Sequence, residues 1–141
     1  MSWEPLTPPE LDAWEASLRA CVGIRWRHRG RLGMGYGHQS GLDCVGLLLR
    51  AAQDIGRQVP DVPLYGRDPD GTLESQLTAR LGAPSPLRPA SVVMLRLPRE
   101  PSHVGYVARN GNLIHCYYST GVTEHPLDDG WRRRIVRSWS V

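Results

Sequence analysis

The hydrophobic pattern of this chain changes once, from helical spacing in its first 82 residues to strand-like segments after residue 90. Residues 44–55, CVGLLLRAAQDI, repeat apolar side chains three and four positions apart, as on one face of an α-helix. From residue 91 the chain is a succession of short segments rich in β-branched and aromatic residues. Helices followed by strands predict an α+β domain in which N-terminal helices pack on a C-terminal antiparallel sheet.

Local signals indicate where the helices begin. Thr7 and Glu10 have the spacing of a capping box, and Thr72 is the expected N-cap of a third helix over 73–81. The glycine- and arginine-rich stretch 23–43 has no sustained period and predicts a long functional loop. We interpret residues 1–141 as one domain, with an N-terminal helix in 1–22, an active-site loop in 23–43, helices in 44–82 and an antiparallel sheet in 91–141.

The cysteine content excludes two classes of small protein. Cys21, Cys44 and Cys116 form an odd set without a CxxC pair, which argues against a zinc ribbon and against a disulfide framework. His28 and His38 match no familiar zinc spacing with Cys44, so no metal or cofactor is expected. Cys21 and Cys116 are interpreted as small core residues.

The net charge of +3 is carried entirely by arginine. Two basic runs, 25–31 and 131–137, would suit nucleic acid or another polyanion, but a solvated arginine-rich face is the commoner role and no nucleic-acid partner is expected. The sequence has neither an apolar run of about 20 residues nor the charge order of a secretory signal. We therefore expect a chain made in the cytoplasm without a signal peptide and not inserted in a membrane.

Cys44 stands at the expected start of a helix, next to Asp43 as a possible N-cap. The positive end of a helix favours a thiolate, which would make Cys44 a nucleophile. A single cysteine at such a position is more often a buried structural residue. The helix by itself therefore supports both interpretations.

Two histidines in the strand region favour the interpretation of Cys44 as a nucleophile. His103 and His115 flank the hairpin signal Asn110-Gly111, so one hairpin could present a base and the group that orients it. A strict two-residue turn would place the two imidazoles on opposite faces, because side chains alternate along a strand. We therefore predict a three-residue loop or a bulge near Gly105. His125, beside a proline in an expected edge segment, is assigned no role.

The segments GLDCVGLLL and HVGYVARNGNLIHC resemble the cysteine and histidine motifs of the NlpC/P60 cysteine peptidases, which have a permuted papain-like fold and cleave bacterial cell-wall peptides. The resemblance extends from about residue 23 to the C-terminus. It implies that Cys44 is the nucleophile, His103 the general base and His115 the third polar residue. It also places Asp43 near the pocket for a free amino group. The closing GVTEHPLDDGWRRRIV resembles the branch found in phage tails and gene-transfer particles.

Two features depart from the family pattern, and one of them is Val45, which stands where many members have serine. Arg25 and Trp26 stand where the family commonly has a proline-tyrosine pair, so they become the expected substrate-binding residues of the loop. The resemblance implies a cofactor-independent peptidase of peptidoglycan stem peptides, carried on a virion tail and held by tail, baseplate or hub proteins. The alternative is a catalytically inactive tail-assembly protein that keeps the fold. Nucleic-acid binding through the arginine runs is a third hypothesis, which a steep loss of binding with salt would support.

Overall fold

A computed structural model describes residues 3–63, 65 and 70–141 of the chain. Its helices are α1 (Pro8–Ala20), α2 (Cys44–Asp54), α3 (Thr72–Leu81) and the single-turn α4 (Asp129–Arg132). Its strands are β1 (Ser91–Leu95), β2 (His103–Val107), β3 (Asn112–Tyr117), β4 (Gly121–Pro126) and β5 (Ile135–Ser140). No helix within the described residues is both long enough and apolar enough to cross a bilayer.

The strands form one five-stranded sheet in the order β4-β3-β2-β1-β5, in which all neighbouring strands are antiparallel. Strands β1 to β4 follow one another as hairpins, and β5 returns to pair with β1 at the other edge. The predicted α+β class, with helices before an antiparallel sheet, is confirmed. The central position of β2 and β3 buries the two strands that carry His103 and His115.

The helix starts agree with the sequence signals at one site and differ at another. The Thr7 hydroxyl accepts a hydrogen bond from the Glu10 N–H at 3.3 Å, and the Thr7 N–H donates to the Glu10 carboxylate at 3.1 Å, so the capping box is confirmed. The prediction of Thr72 as an N-cap is wrong. Thr72 is the first residue of α3, and Gly71, at a φ of 85°, caps the helix without a side chain.

Helix α2 is the central helix of the domain, because it packs against α1 on one side and against β2 and β3 on the other. Its first six residues are all buried, and its polar face is confined to Arg50, Gln53 and Asp54 near the C-terminal end, so the helix is amphipathic, as the sequence pattern predicts. A β-carbon on Gly46 would lie 2.2 Å from the carbonyl oxygen of Gly30. The loop 23–43 therefore packs directly on the first turn of α2, at the end that carries Cys44.

Candidate active site

Cys44 is the first residue of α2, and Asp43 is the N-cap of that helix. The Asp43 carboxylate accepts a hydrogen bond from the Gly46 N–H at 2.8 Å, which fixes the first turn. The thiol thus lies at the positive end of the helix, as the sequence predicted. Cys44 is 8% exposed, so the sulfur is nearly closed off from solvent.

The hairpin of β2 and β3 brings the two predicted histidines together. Tyr106 pairs with Ile114, a register that leaves three residues, 109–111, in the turn. The prediction of a one-residue irregularity is confirmed. The side chains of His103 and His115 consequently lie on one face, with His103 Nε2 and His115 Nδ1 2.7 Å apart.

Both imidazoles are buried, with His103 0% and His115 1% exposed. Gly105 makes room for them, since a β-carbon there would lie 3.0 Å from the His115 β-carbon. Burial, together with the nearby His103 and His125, lowers the pKa of His115 to about 2. His115 is therefore a neutral hydrogen-bonding partner at working pH and not a site of positive charge.

Glu100 is a site residue that the sequence analysis missed. It lies in the loop between β1 and β2, is 6% exposed, and places its Oε2 2.6 Å from His103 Nδ1. The oxygen lies off the direction in which the ring nitrogen makes a hydrogen bond, so the two groups are in close contact without hydrogen-bond geometry. The other carboxylate oxygen accepts a hydrogen bond from the Tyr118 N–H at 3.2 Å. This second contact anchors the carboxylate against His103.

His125, which the sequence analysis assigned no role, extends the histidine pair. Its Nε2 lies 2.9 Å from His115 Nε2, and its Nδ1 lies 2.9 Å from the carbonyl oxygen of Pro126. Trp131 of α4 covers this end of the site, with its ring 4.8 Å from that of His125 and 5.2 Å from that of His115. Three imidazoles therefore form a continuous line from Glu100 to the backbone of β4.

The sulfur of Cys44 borders a cavity of about 30 Å³, which is enough for one or two water molecules. Its remaining lining residues are Trp26, His28, Asp43, Tyr65, Glu100 and Ser102. The backbone N–H of Val104, the residue after His103, donates a hydrogen bond to the sulfur. Cys44 therefore lies beside the strand that carries His103, and it shares the cavity with the carboxylate that contacts His103.

The thiol pKa differs from the one that the helix position predicts. Burial raises the pKa of Cys44 well above its ordinary value, and the Asp43 carboxylate raises it further, while the Val104 hydrogen bond opposes both. The resting site therefore holds a thiol, and a base must remove its proton before or during attack.

Asp43 lines the cavity, but four donors already hold its carboxylate. Arg31 Nη1 lies 2.9 Å from Oδ1, which also accepts from the Gly46 N–H. Oδ2 accepts from the Arg29 N–H at 2.8 Å and from the hydroxyl of Tyr65. Tyr65, from the proline-bearing connection after α2, had no sequence signal linking it to this site.

The two loop residues expected to bind substrate differ in position. Trp26 lines the cavity beside Cys44. The side chain of Arg25 is exposed, and its backbone carbonyl accepts a hydrogen bond from the Leu42 N–H at 3.1 Å. His28 and His38 are both exposed, and His28 also borders the cavity. Across 3–63, 65 and 70–141, no three histidine, cysteine or acidic side chains are arranged to hold a metal ion.

No model of a known protein family matches the sequence, and no curated protein matches it either. Solved structures do match. A lipoprotein-like NLP/P60 family protein of Staphylococcus aureus superposes with a TM-score of 0.66 at 12% identity, over 98% of this chain and 43% of that one. The P60 domain of an antigen of Mycobacterium avium subspecies paratuberculosis superposes with a TM-score of 0.62 at 17% identity, over 94% of this chain and 93% of that domain. The peptidoglycan hydrolase RipB of Mycobacterium tuberculosis superposes with a TM-score of 0.62 at 15% identity, over 93% of this chain and 64% of that one.

This chain has the NlpC/P60 fold. Each of these matches covers at least 93% of the chain, so the fold accounts for nearly all of the helix and strand arrangement. The chain spans less than half of the S. aureus protein and nearly all of the M. avium domain. At 12% to 17% identity the comparison establishes the NlpC/P60 fold, and the roles of individual residues rest on the geometry of the site.

Proposed function

We propose that this protein is a cysteine peptidase that hydrolyses an amide bond in peptidoglycan stem peptides. The observation that carries the proposal is the buried His103–His115 pair, held on β2 and β3 beside Cys44 at the start of α2. A thiol, an imidazole and a group that orients the imidazole are the parts that covalent acyl transfer requires. The peptidoglycan substrate is inferred from the resemblance of the motifs and from the hydrolase RipB, which shares the fold.

In this mechanism Cys44 is the nucleophile and His103 is the base. The sulfur attacks the carbonyl carbon while its proton passes to His103 Nδ1, which gives a tetrahedral intermediate. The C–N bond then breaks, and the amine leaves with that proton. Water, deprotonated by His103, attacks the thioester, and the product acid and the free thiol are released. No cofactor takes part in these steps.

The first turn of α2 supplies the electrostatic stabilisation. The Gly46 N–H donates to the carboxylate of Asp43, and the Leu47 N–H donates to the backbone carbonyl of Asp43. The N–H groups of Cys44 and Val45 belong to the same positive end of the helix, and we assign them to the developing oxyanion. His115 acts through His103 by orienting the ring.

Glu100 must move before the reaction can start. Its carboxylate lies against His103 Nδ1, the same atom that receives the thiol proton. The 30 Å³ cavity is also too small for a peptide. Substrate binding therefore has to displace Glu100 and open the cavity wall, in which Trp26 and Tyr65 take part.

Digestion of purified peptidoglycan tests the proposal. Wild type should release peptides whose masses identify the cleaved bond, and Cys44→Ala should release none. Cys116→Ala, which removes another buried thiol, is the matched control and should keep the activity. Absence of product from folded wild type across the pH range would contradict the peptidase proposal and favour the inactive tail-assembly role.

The proposed setting is a phage tail or a gene-transfer particle. It is supported by the resemblance of the C-terminal segment to the tail-associated branch. Mass spectrometry of purified tail-bearing particles from the organism that encodes the chain should then detect it, together with tail or hub proteins. Detection in other cell fractions with none in the particles would contradict this setting.

A further inference from the structure

The line of three imidazoles has an acceptor at each end. At one end the Pro126 carbonyl oxygen, which has no proton to give, lies 2.9 Å from His125 Nδ1. At the other end the Glu100 carboxylate lies 2.6 Å from His103 Nδ1. The links between the rings measure 2.7 Å and 2.9 Å. The line thus contains four links: three hydrogen bonds and, at the Glu100 end, a close contact that lacks hydrogen-bond geometry.

Each of the three hydrogen-bonded links needs one proton. The contact with Glu100 lies off the hydrogen-bond direction, but it needs a proton as well, because an unprotonated nitrogen and a carboxylate oxygen repel each other at 2.6 Å. Three neutral imidazoles carry three ring protons, one fewer than the links require. The line is satisfied when it holds a fourth proton, shared at the Glu100 end as an imidazolium facing a carboxylate or as a carboxyl facing a neutral ring. Since burial lowers the pKa of His115 to about 2, the middle ring does not hold the charge.

The Pro126 carbonyl also fixes which ring donates and which accepts in each hydrogen bond of the line. It requires the proton of a neutral His125 to be on Nδ1, so His125 Nε2 accepts from His115 Nε2–H. His115 Nδ1 then accepts from His103 Nε2–H. This leaves His103 Nδ1 as the atom that takes or gives the fourth proton, against Glu100, which lines the cavity together with Cys44.

We propose that His125 is a positioning residue that acts through His115. Glu100 and the three histidines together hold one proton more than three neutral imidazoles carry, and this proton is taken up or released at His103 Nδ1. When substrate displaces Glu100, the carboxyl can leave with that proton. His103 Nδ1 then has a free lone pair for the thiol proton of Cys44. This inference rests on the proposed peptidase function for its consequence, but the proton arrangement itself can be measured without any turnover.

Removing His125 should reverse the donor and acceptor roles in the hydrogen bond between His103 and His115. With His125 absent, His103 can donate from Nδ1 to Glu100 and accept at Nε2 from His115, so that two neutral rings satisfy both remaining links. The lone pair is then on the wrong nitrogen of His103 for catalysis. The titratable groups facing the line in the described structure are Glu100, Tyr117, whose ring stacks on His115, and Cys44 across the cavity.

Nitrogen NMR of histidine-labelled protein, with carbon NMR of the glutamate carboxyl groups, tests the proposal at about pH 7.5, one unit above the ordinary histidine pKa of about 6.5. Wild type should show four protons on this line, seen as one doubly protonated ring or as a neutral Glu100 carboxyl. Glu100→Gln, which can donate to His103 Nδ1, should show three singly protonated rings with the His103 proton on Nε2. Wild type with three singly protonated rings and an ionised Glu100 would overturn the proposal.

The His125 variants provide the second arm. His125→Ala should move the His103 proton to Nδ1, and His125→Gln, which can accept from His115 and donate to Pro126, should restore it to Nε2. His38→Gln is the exposed control and should leave the pattern unchanged. A His103 proton that stays on Nε2 in folded His125→Ala would refute the positioning role. Because the spectra need no substrate, their result is independent of whether the wild type proves to be an active peptidase.

Discussion

His115 should make the stability of the fold fall as the pH falls below neutral. Its pKa is about 2 in the folded protein against an ordinary value of 6.5, so between these values the unfolded chain binds a proton that the folded protein does not. Stability therefore decreases as the pH falls from 6.5 towards 2, with a slope of up to about 1.4 kcal/mol per pH unit. Integration from about pH 7 to about pH 5 gives a loss of about 2 kcal/mol.

The assay is urea unfolding of wild type and His115→Gln at several pH values. Glutamine can accept from His103 and donate to His125, so it keeps both links and removes the titration at this position. We expect the difference in unfolding free energy between the two proteins to shrink by about 2 kcal/mol between about pH 7 and about pH 5. His38→Gln, at an exposed position, should follow wild type at every pH. Parallel pH profiles for wild type and His115→Gln would refute the reasoning.

Three further changes probe other parts of the site and scaffold. Asp43→Ala leaves buried Arg31 with Asp61 as its remaining ion-pair partner, and it removes the acceptor of the Gly46 N–H and the Tyr65 hydroxyl. Urea unfolding should therefore show a loss of about 3 kcal/mol or more, and a loss below about 1 kcal/mol would contradict this account. Thr7→Ala removes the capping box and should cost about 1 kcal/mol in the same assay, against no change if the cap is idle. The pH midpoint of Cys44 alkylation should lie above the ordinary thiol pKa, and Glu100→Gln should lower that midpoint. An unchanged midpoint in Glu100→Gln would show that Glu100 does not influence the thiol.

Much of the fold could be predicted from the sequence because it depends on local signals. The capping box at Thr7 lies at the start of α1, and the apolar pattern that begins at Cys44 coincides with α2. The hairpin prediction succeeded because side-chain alternation requires a one-residue irregularity, either a three-residue loop or a bulge, to bring His103 and His115 to one face. The start of α3 was misassigned because glycine, which has no side chain to signal a cap, takes the N-cap position.

The parts of the site that were missed depend on contacts between distant segments. Glu100 reaches His103 through the conformation of a loop, and Tyr65 reaches Asp43 from a connection far along the chain, so neither has a periodic signal. His125 was predictable in principle. It is a diagonal neighbour of His115 across the β3–β4 hairpin, and a prediction of that turn length would have placed both on one face.

The central claim is that Cys44 is the nucleophile of a peptidoglycan peptidase, and the most direct measurement is a ratio of two initial rates. Wild type and Cys44→Ala are compared on one soluble stem peptide, with each rate normalised to the folded protein present. The account predicts cleavage by wild type and a rate at least about 1,000-fold lower for Cys44→Ala. Equal rates for the two proteins, or no cleavage by either, would contradict it.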